Sequence, residues 1–190
     1  MTAETGPFHF APGGPITVDD LEAMPDDGNR YELIDGTLYV SPAPGTRHQK
    51  VQLKLAIALD MVCPPDLHVL TAPYAVRASR STELQPDVLV ARDEDLTDKL
   101  LPVAPLLAVE VFSPSSVLND MNNKRAAYQR LGVQSYWVID PEELSLTVYE
   151  LDAMGVYSRV ASVKGGEAFE AERPFPVRVV PRELLGTLAK

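Results

Sequence analysis

Cysteine occurs once in the 190 residues, at Cys63. That excludes an internal disulfide and leaves the thiol as filler within an apolar helical pattern. Positive charge is also scarce: 17 Lys and Arg stand against 27 Asp and Glu, for a formal net charge of −10. Such a balance favours solubility and argues against a broadly basic nucleic-acid surface, while leaving room for a local basic groove. No apolar run approaches the ~20 residues of a membrane span. The opening "MTAETGPFHFAPGGP" lacks the basic-then-apolar order of a signal peptide, so a cytoplasmic protein is the default expectation. Internal repeats and low-complexity tracts are missing too.

What is present suffices for one substantial core: 45% of the residues are hydrophobic, in a chain of a length that supports one compact domain rather than two. Residues 1–15, rich in Gly and Pro, read as a loose lead, and residues 16–190 as a single domain. "TVDDLEAM" places Thr17 three residues ahead of Asp20, a capping-box variant opening a short helix that ends near Pro25. "RYELIDGTLYVSP" has two β-rich runs around Asp35-Gly36, a strong hairpin signal. Val51, Leu55, Ala58, Leu59 and Val62 recur at helical spacing, predicting an amphipathic helix from Thr46 to Val62 that two prolines stop. "HVLTAPYAVRA" reads as an extended segment broken by Pro73, and Arg92 to Pro105 as an acidic, mobile loop. A helix capped by Ser115 or Ser116 should run to Gly132, followed by the strand runs "SYWVID", "LSLTVYEL", "GVYSRVASVK" and "FPVRVV" and a short helix at "PRELLG". Helices interrupt the strands at irregular intervals, which predicts an α/β or α+β fold with a mixed central sheet and not a doubly wound one.

Two strand runs, Val88–Ala91 and Leu106–Phe112, carry acids where buried strands rarely do: Asp87 opens the first and Glu110 interrupts the second. A buried charge is expensive unless it meets a cation or takes a proton. If the strands pair antiparallel, the entry of one lies beside the exit of the other, and the two carboxylates meet. A hard divalent cation such as Mg²⁺ relieves that repulsion, since it binds one or two carboxylates together with water and phosphate oxygens. The following helix adds Lys124, with Tyr128 four residues on and Asp120 four residues before. Facing the sheet, Lys124 could orient a water or meet developing negative charge.

"QPDVLV", "VEVFSPSS" and "NDMNNKRAAYQRLGVQSYWVIDP", with the upstream "RYELIDGTLYVSPAPGTRHQ", resemble the Uma-type putative restriction endonuclease family, a branch of the PD-(D/E)XK nuclease superfamily. The resemblance spans roughly Thr17 to Glu150 with the motif order intact. It implies a restriction-endonuclease-like mixed sheet flanked by helices, a DNA substrate, and Mg²⁺ (or Mn²⁺) bound by Asp87 and Glu110. The superfamily's usual lysine lies two residues after the second acid, where this chain has Phe112. The Uma-type pattern instead resembles a lysine migrated to the next helix, matching Lys124. The same likeness suggests Glu32 as a further catalytic acid and His48 as a substrate or water contact.

Each residue also has a plainer reading. Asp87 can cap the turn after Pro86. Glu110 can form a structural ion pair with Lys124 or Arg125. Lys124, Glu32 and His48 can be solvated, and Tyr128, Tyr136 and Trp137 can be core aromatics. Two functions remain from these residues: a metal-dependent endonuclease acting on DNA, and a catalytically inactive nuclease-fold module that binds nucleic acid or a partner. A glycosidase could also use paired carboxylates, but no row of substrate-binding aromatics accompanies them. The extra C-terminal strands offer edges through which a homodimer could pair.

Overall fold

A computed structural model describes residues 14–112 and 118–189, with backbone alone for 118–121. The chain opens with α1 (Val18–Glu22), whose Asp20 carboxylate accepts the Thr17 N–H and hydroxyl, each at 2.8 Å. The hairpin follows as β1 (Arg30–Ile34) and β2 (Thr37–Ser41). Asp35 and Gly36 between them both take positive φ, 51° and 79°, the two-residue turn whose twist matches antiparallel strands. Next is α2 (Thr46–Asp60), then β3 (Leu67–Thr71), β4 (Ala75–Ser79), β5 (Thr82–Leu84) and β6 (Val88–Arg92).

The segment read as a mobile loop is tied down. It holds a 3-10 turn at Asp93–Asp95 and a short strand, β7 (Leu100–Leu101), paired parallel to β4. Leu101 is fully buried there against Val76, Leu89 and Ala91; its apolar anchor was hidden in an acidic stretch. The chain continues through β8 (Leu107–Val111), α3 (Leu118–Leu131), β9 (Ser135–Asp140), β10 (Ser145–Leu151) and β11 (Tyr157–Lys164). It ends in β12 (Phe169–Ala171), β13 (Val177–Val179) and α4 (Pro181–Leu185). The expected serine cap of α3 lies outside the described residues. Gly132 ends that helix at φ 89°, its N–H bonding the Tyr128 carbonyl at 3.1 Å. The strand β12 was not foreseen, being only three residues long.

The result is α+β, with helices flanking mixed sheets. A six-stranded sheet runs β11-β10-β9-β8-β6-β3, and a five-stranded one runs β2-β1-β5-β4-β7. All pairings in the first are antiparallel except β8 with β9, the crossover spanned by α3. One face of this sheet presents Val88, Val90, Leu107, Val109, Trp137 and Ile139 to α2, α4 and the β12–β13 pair. The other packs Ala108 and Tyr136 against Ala127 and Tyr128 of α3 and against Ile34 and Leu84 of the smaller sheet. Where the two sheets, α2 and α3 converge, the polar residues collect.

Candidate active site

Strand pairing explains why the acids meet. β6 and β8 run antiparallel with Val88 opposite Val109, so Asp87, one residue earlier, falls beside Glu110 and Val111. Side chains alternate along a strand. Because Val109 and Val111 point into the apolar core, Glu110 points to the α3 face. Both carboxylates are almost fully buried, Asp87 at 1% and Glu110 at 2% exposure. Glu32, on β1, is equally buried at 1%, which excludes the exposed-hairpin reading.

Asp87 is held from three elements, β1, α2 and β8. Its Oδ1 accepts Arg30 Nη1–H at 2.8 Å, while Oδ2 accepts the Val111 N–H at 2.7 Å and lies 3.1 Å from His48 Nε2. Gln52, one helical turn after His48, donates to the Asp87 carbonyl at 2.9 Å. Burial pushes this carboxyl's pKa up, but the His48 hydrogen bond, the Arg30 charge and the Val111 N–H outweigh it and hold the group at about 2. Asp87 is therefore a fixed anion.

Glu110 is the opposite case. Lys124 Nζ donates to its Oε2 at 3.1 Å and Tyr128 Oη to its Oε1 at 2.7 Å. Burial, helped by the charges of Asp87 and Glu32, still raises its carboxyl to about 7 against the pull of Lys124 and Arg30. Lys124 is itself only 3% exposed. Burial alone would lower its pKa, yet Glu110 and Glu32 hold it above the ordinary lysine value, so it stays charged. Its ammonium also lies 2.7 Å from Glu32 Oε2, an ion pair outside hydrogen-bond alignment, and Glu32 Oε1 accepts the Gln85 N–H at 2.8 Å. The solvated readings of Lys124 and His48 do not apply.

Three buried carboxylates and two cations thus lie together, and all of them but Glu32 line a cavity of about 1040 Å³, with His48 beside them. Counted as ionised, they leave one net negative charge. Two polar atoms remain open: His48 Nδ1 is buried without a hydrogen-bond partner, and none of the hydrogen bonds among the described residues uses Arg30 Nη2. Phe112, in the usual lysine position, carries its apolar ring on the wall of a second cavity of about 270 Å³.

Sequence reasoning named Asp87, Glu110, Lys124, Glu32 and His48, and the fold brings all five to one place. It assigned no role to Arg30, Gln52 or the Tyr128 hydroxyl. Signals for them existed. Arg30 shares a strand face with Glu32 by alternation, and His48 and Gln52 are polar residues one turn apart on a helix whose later turns bury Leu55 and Leu59.

The model of the Uma2 family, described as "Putative restriction endonuclease", matches residues 18–183. A crystal structure of a putative nuclease belonging to DUF820, from Anabaena variabilis, superposes with a TM-score of 0.72 at 20% identity. That superposition covers 92% of this chain and 99% of the other. No curated protein matches the chain.

Proposed function

Because the chain belongs to the Uma2 family of restriction-endonuclease-like proteins, we propose that it is a Mg²⁺-dependent endonuclease that hydrolyses DNA phosphodiester bonds with water. The observation that carries this reading is the pairing of a fixed anion, Asp87, with a tunable one, Glu110, on one cavity floor. Among the described residues no trio of His, Cys, Asp and Glu converges to enclose an ion, so the proposed ion would rest on two carboxylates, with waters and substrate phosphate completing its shell. The donor set fits: the oxygens are hard, and Arg30 and Lys124 already supply positive charge against these carboxylates. A divalent ion would turn the site's net charge from −1 to +1, the complement of a single phosphodiester. Mn²⁺ fits the same oxygens.

Asp87 and Glu110 would hold the metal, which when bound supplies a more acidic water and neutralises charge on a phosphoryl oxygen. The chain's own groups do the rest. Asp87 presents Oδ1 to the cavity while His48 and the Val111 N–H fix Oδ2. Tyr128, its phenol pushed above the ordinary value by burial and by Glu110, stays protonated and pins Glu110 Oε1. Lys124 sits between Glu110 and Glu32, placed to orient the attacking water and to meet negative charge as it develops. Glu32 keeps that ammonium charged and aimed. His48, with Nδ1 open, is the substrate or water contact.

The same reading takes residues 16–190 as one cytoplasmic domain and the edge strand β11 as a surface through which two copies would pair. No helix among the described residues is long and apolar enough to cross a membrane. The deciding experiment is cleavage of plasmid, linear duplex and single-stranded DNA with Mg²⁺, Mn²⁺ or EDTA, using wild type and Asp87→Asn. Metal-dependent nicking that falls at least about a thousandfold in the variant supports the proposal. Absence of cleavage on every DNA form, with metal bound, would leave the inactive nuclease-fold module as the better account.

A further inference from the structure

We infer that Arg30 is a phosphate-positioning residue that also guards Asp87 while no metal is bound; the inference rests on the nuclease reading above. The guanidinium lies across the cavity floor, 24% exposed on its side chain. Nη1 bonds Asp87 Oδ1 at 2.8 Å and the Gln85 carbonyl at 3.3 Å, and Nε is 3.6 Å from Glu32 Oε2. Both hydrogens of Nη1 are thus spent on the protein, whereas Nη2 makes no hydrogen bond among the described residues and belongs to a cavity-lining side chain. A guanidinium anchored through Nη1, with the Nη2 hydrogens free, is suited to a nonbridging oxygen of a phosphodiester.

The contact with Asp87 has a second consequence. Oδ2 is already committed to His48 and Val111, so Oδ1 is the oxygen left for a metal, and it is the oxygen Arg30 occupies. A divalent ion must compete with this hydrogen bond and with the guanidinium's charge. Asp87 does not need Arg30 for its orientation, because the Val111 N–H and His48 fix the carboxylate from the other side. Loss of Arg30 should therefore strengthen metal binding and weaken substrate binding. A residue that merely supported the fold would weaken both.

Arg30→Ala and the milder Arg30→Lys test this with two binding measurements that need no turnover. In the first, calorimetric titration of the metal-free proteins with Mn²⁺ should show Arg30→Ala binding about tenfold more tightly than wild type. In the second, a labelled DNA duplex titrated in Ca²⁺ should bind Arg30→Ala about tenfold more weakly, with the slope of log affinity against log salt reduced by about one. Arg30→Lys, which keeps the charge but not the fork, should bind duplex more weakly than wild type and metal no more weakly; it decides the matter if Arg30→Ala does not fold. Weakened Mn²⁺ binding in the variants, or duplex affinity and salt slope equal to wild type, would overturn the role of Arg30 while leaving the nuclease reading intact. Failure of wild type itself to bind duplex in any metal would remove that reading, and this inference with it.

Discussion

The two faces of the six-stranded sheet are made by the same strands and solve different problems. On the α2 face, Val88, Leu107, Val109, Val111 and Trp137 form a continuous apolar layer with α4 and the β12–β13 pair. On the α3 face, the alternate positions of β8 and β9 carry Glu110 and Tyr136, and α3 lowers Lys124 and Tyr128 onto them. Burial is near complete on both sides. One face gains stability from that burial, while the other uses it to shift proton affinities and to hold charges that water would otherwise screen. The α2 face can thus anchor strands whose opposite side is electrostatically strained.

That contrast can be broken from either side. Lys124→Ala should have the largest effect. It leaves Glu32 and Glu110 buried without their shared cation, and losing one partner of a buried ion pair costs about 3–5 kcal/mol. Chemical unfolding in EDTA should show that loss, and added Mg²⁺ should restore part of it; a variant as stable as wild type would mean the carboxylates are already neutral. Next comes the apolar face. Leu107→Ala should lower stability by about 3 kcal/mol through lost burial and a residual cavity, with Mn²⁺ affinity in the folded protein unchanged. A matching loss of metal affinity would show that the two faces are not independent.

The pH response is smaller. Glu110 is raised from 4.5 to about 7 in the folded state, so the folded protein holds a proton there that the unfolded chain releases. Its contribution is fully present below 4.5 and is lost as pH rises through about 7. Asp87 runs the other way: lowered from 3.8 to about 2, it contributes above 3.8 and fails as pH falls through about 2. The unfolding free energy from urea titrations should therefore decline between 4.5 and 7, by at most about 3 kcal/mol, and Glu110→Gln should flatten that decline. Smallest is Tyr128→Phe. It deletes one hydrogen bond to Glu110 Oε1, about 1 kcal/mol of stability, and should leave metal affinity within a few-fold of wild type.

Much of this contrast was legible in the sequence because it rests on local rules. An acid inside a valine run marks Glu110, a Pro-Asp entering a second run marks Asp87, and the positive-φ pair Asp35-Gly36 fixes the hairpin that carries Glu32. The motif likeness supplied Lys124, which helical spacing could only place on a face shared with Tyr128. What escaped depends on long-range register. Arg30 reaches Asp87 across 57 positions of sequence and Gln52 reaches it across 35, contacts that exist only after two sheets and a helix have docked. Leu101 was missed for a related reason: a two-residue strand is defined by its partner, not by its own pattern.

Trp137, the chain's one tryptophan, gives the two faces separate optical signatures. Its indole is wholly buried on the α2 face, edge-on to Phe169 with ring centroids 5.6 Å apart, and its N–H donates to Ser135 Oγ at 2.9 Å. The four tyrosines 128, 136, 149 and 157 cluster behind the acid site, with neighbouring centroids 5.2 to 6.3 Å apart. Selective excitation of tryptophan therefore follows the apolar layer alone. Ultraviolet difference absorption of the tyrosines follows the environment of Glu110, so metal entry should perturb the phenols while the indole emission stays fixed.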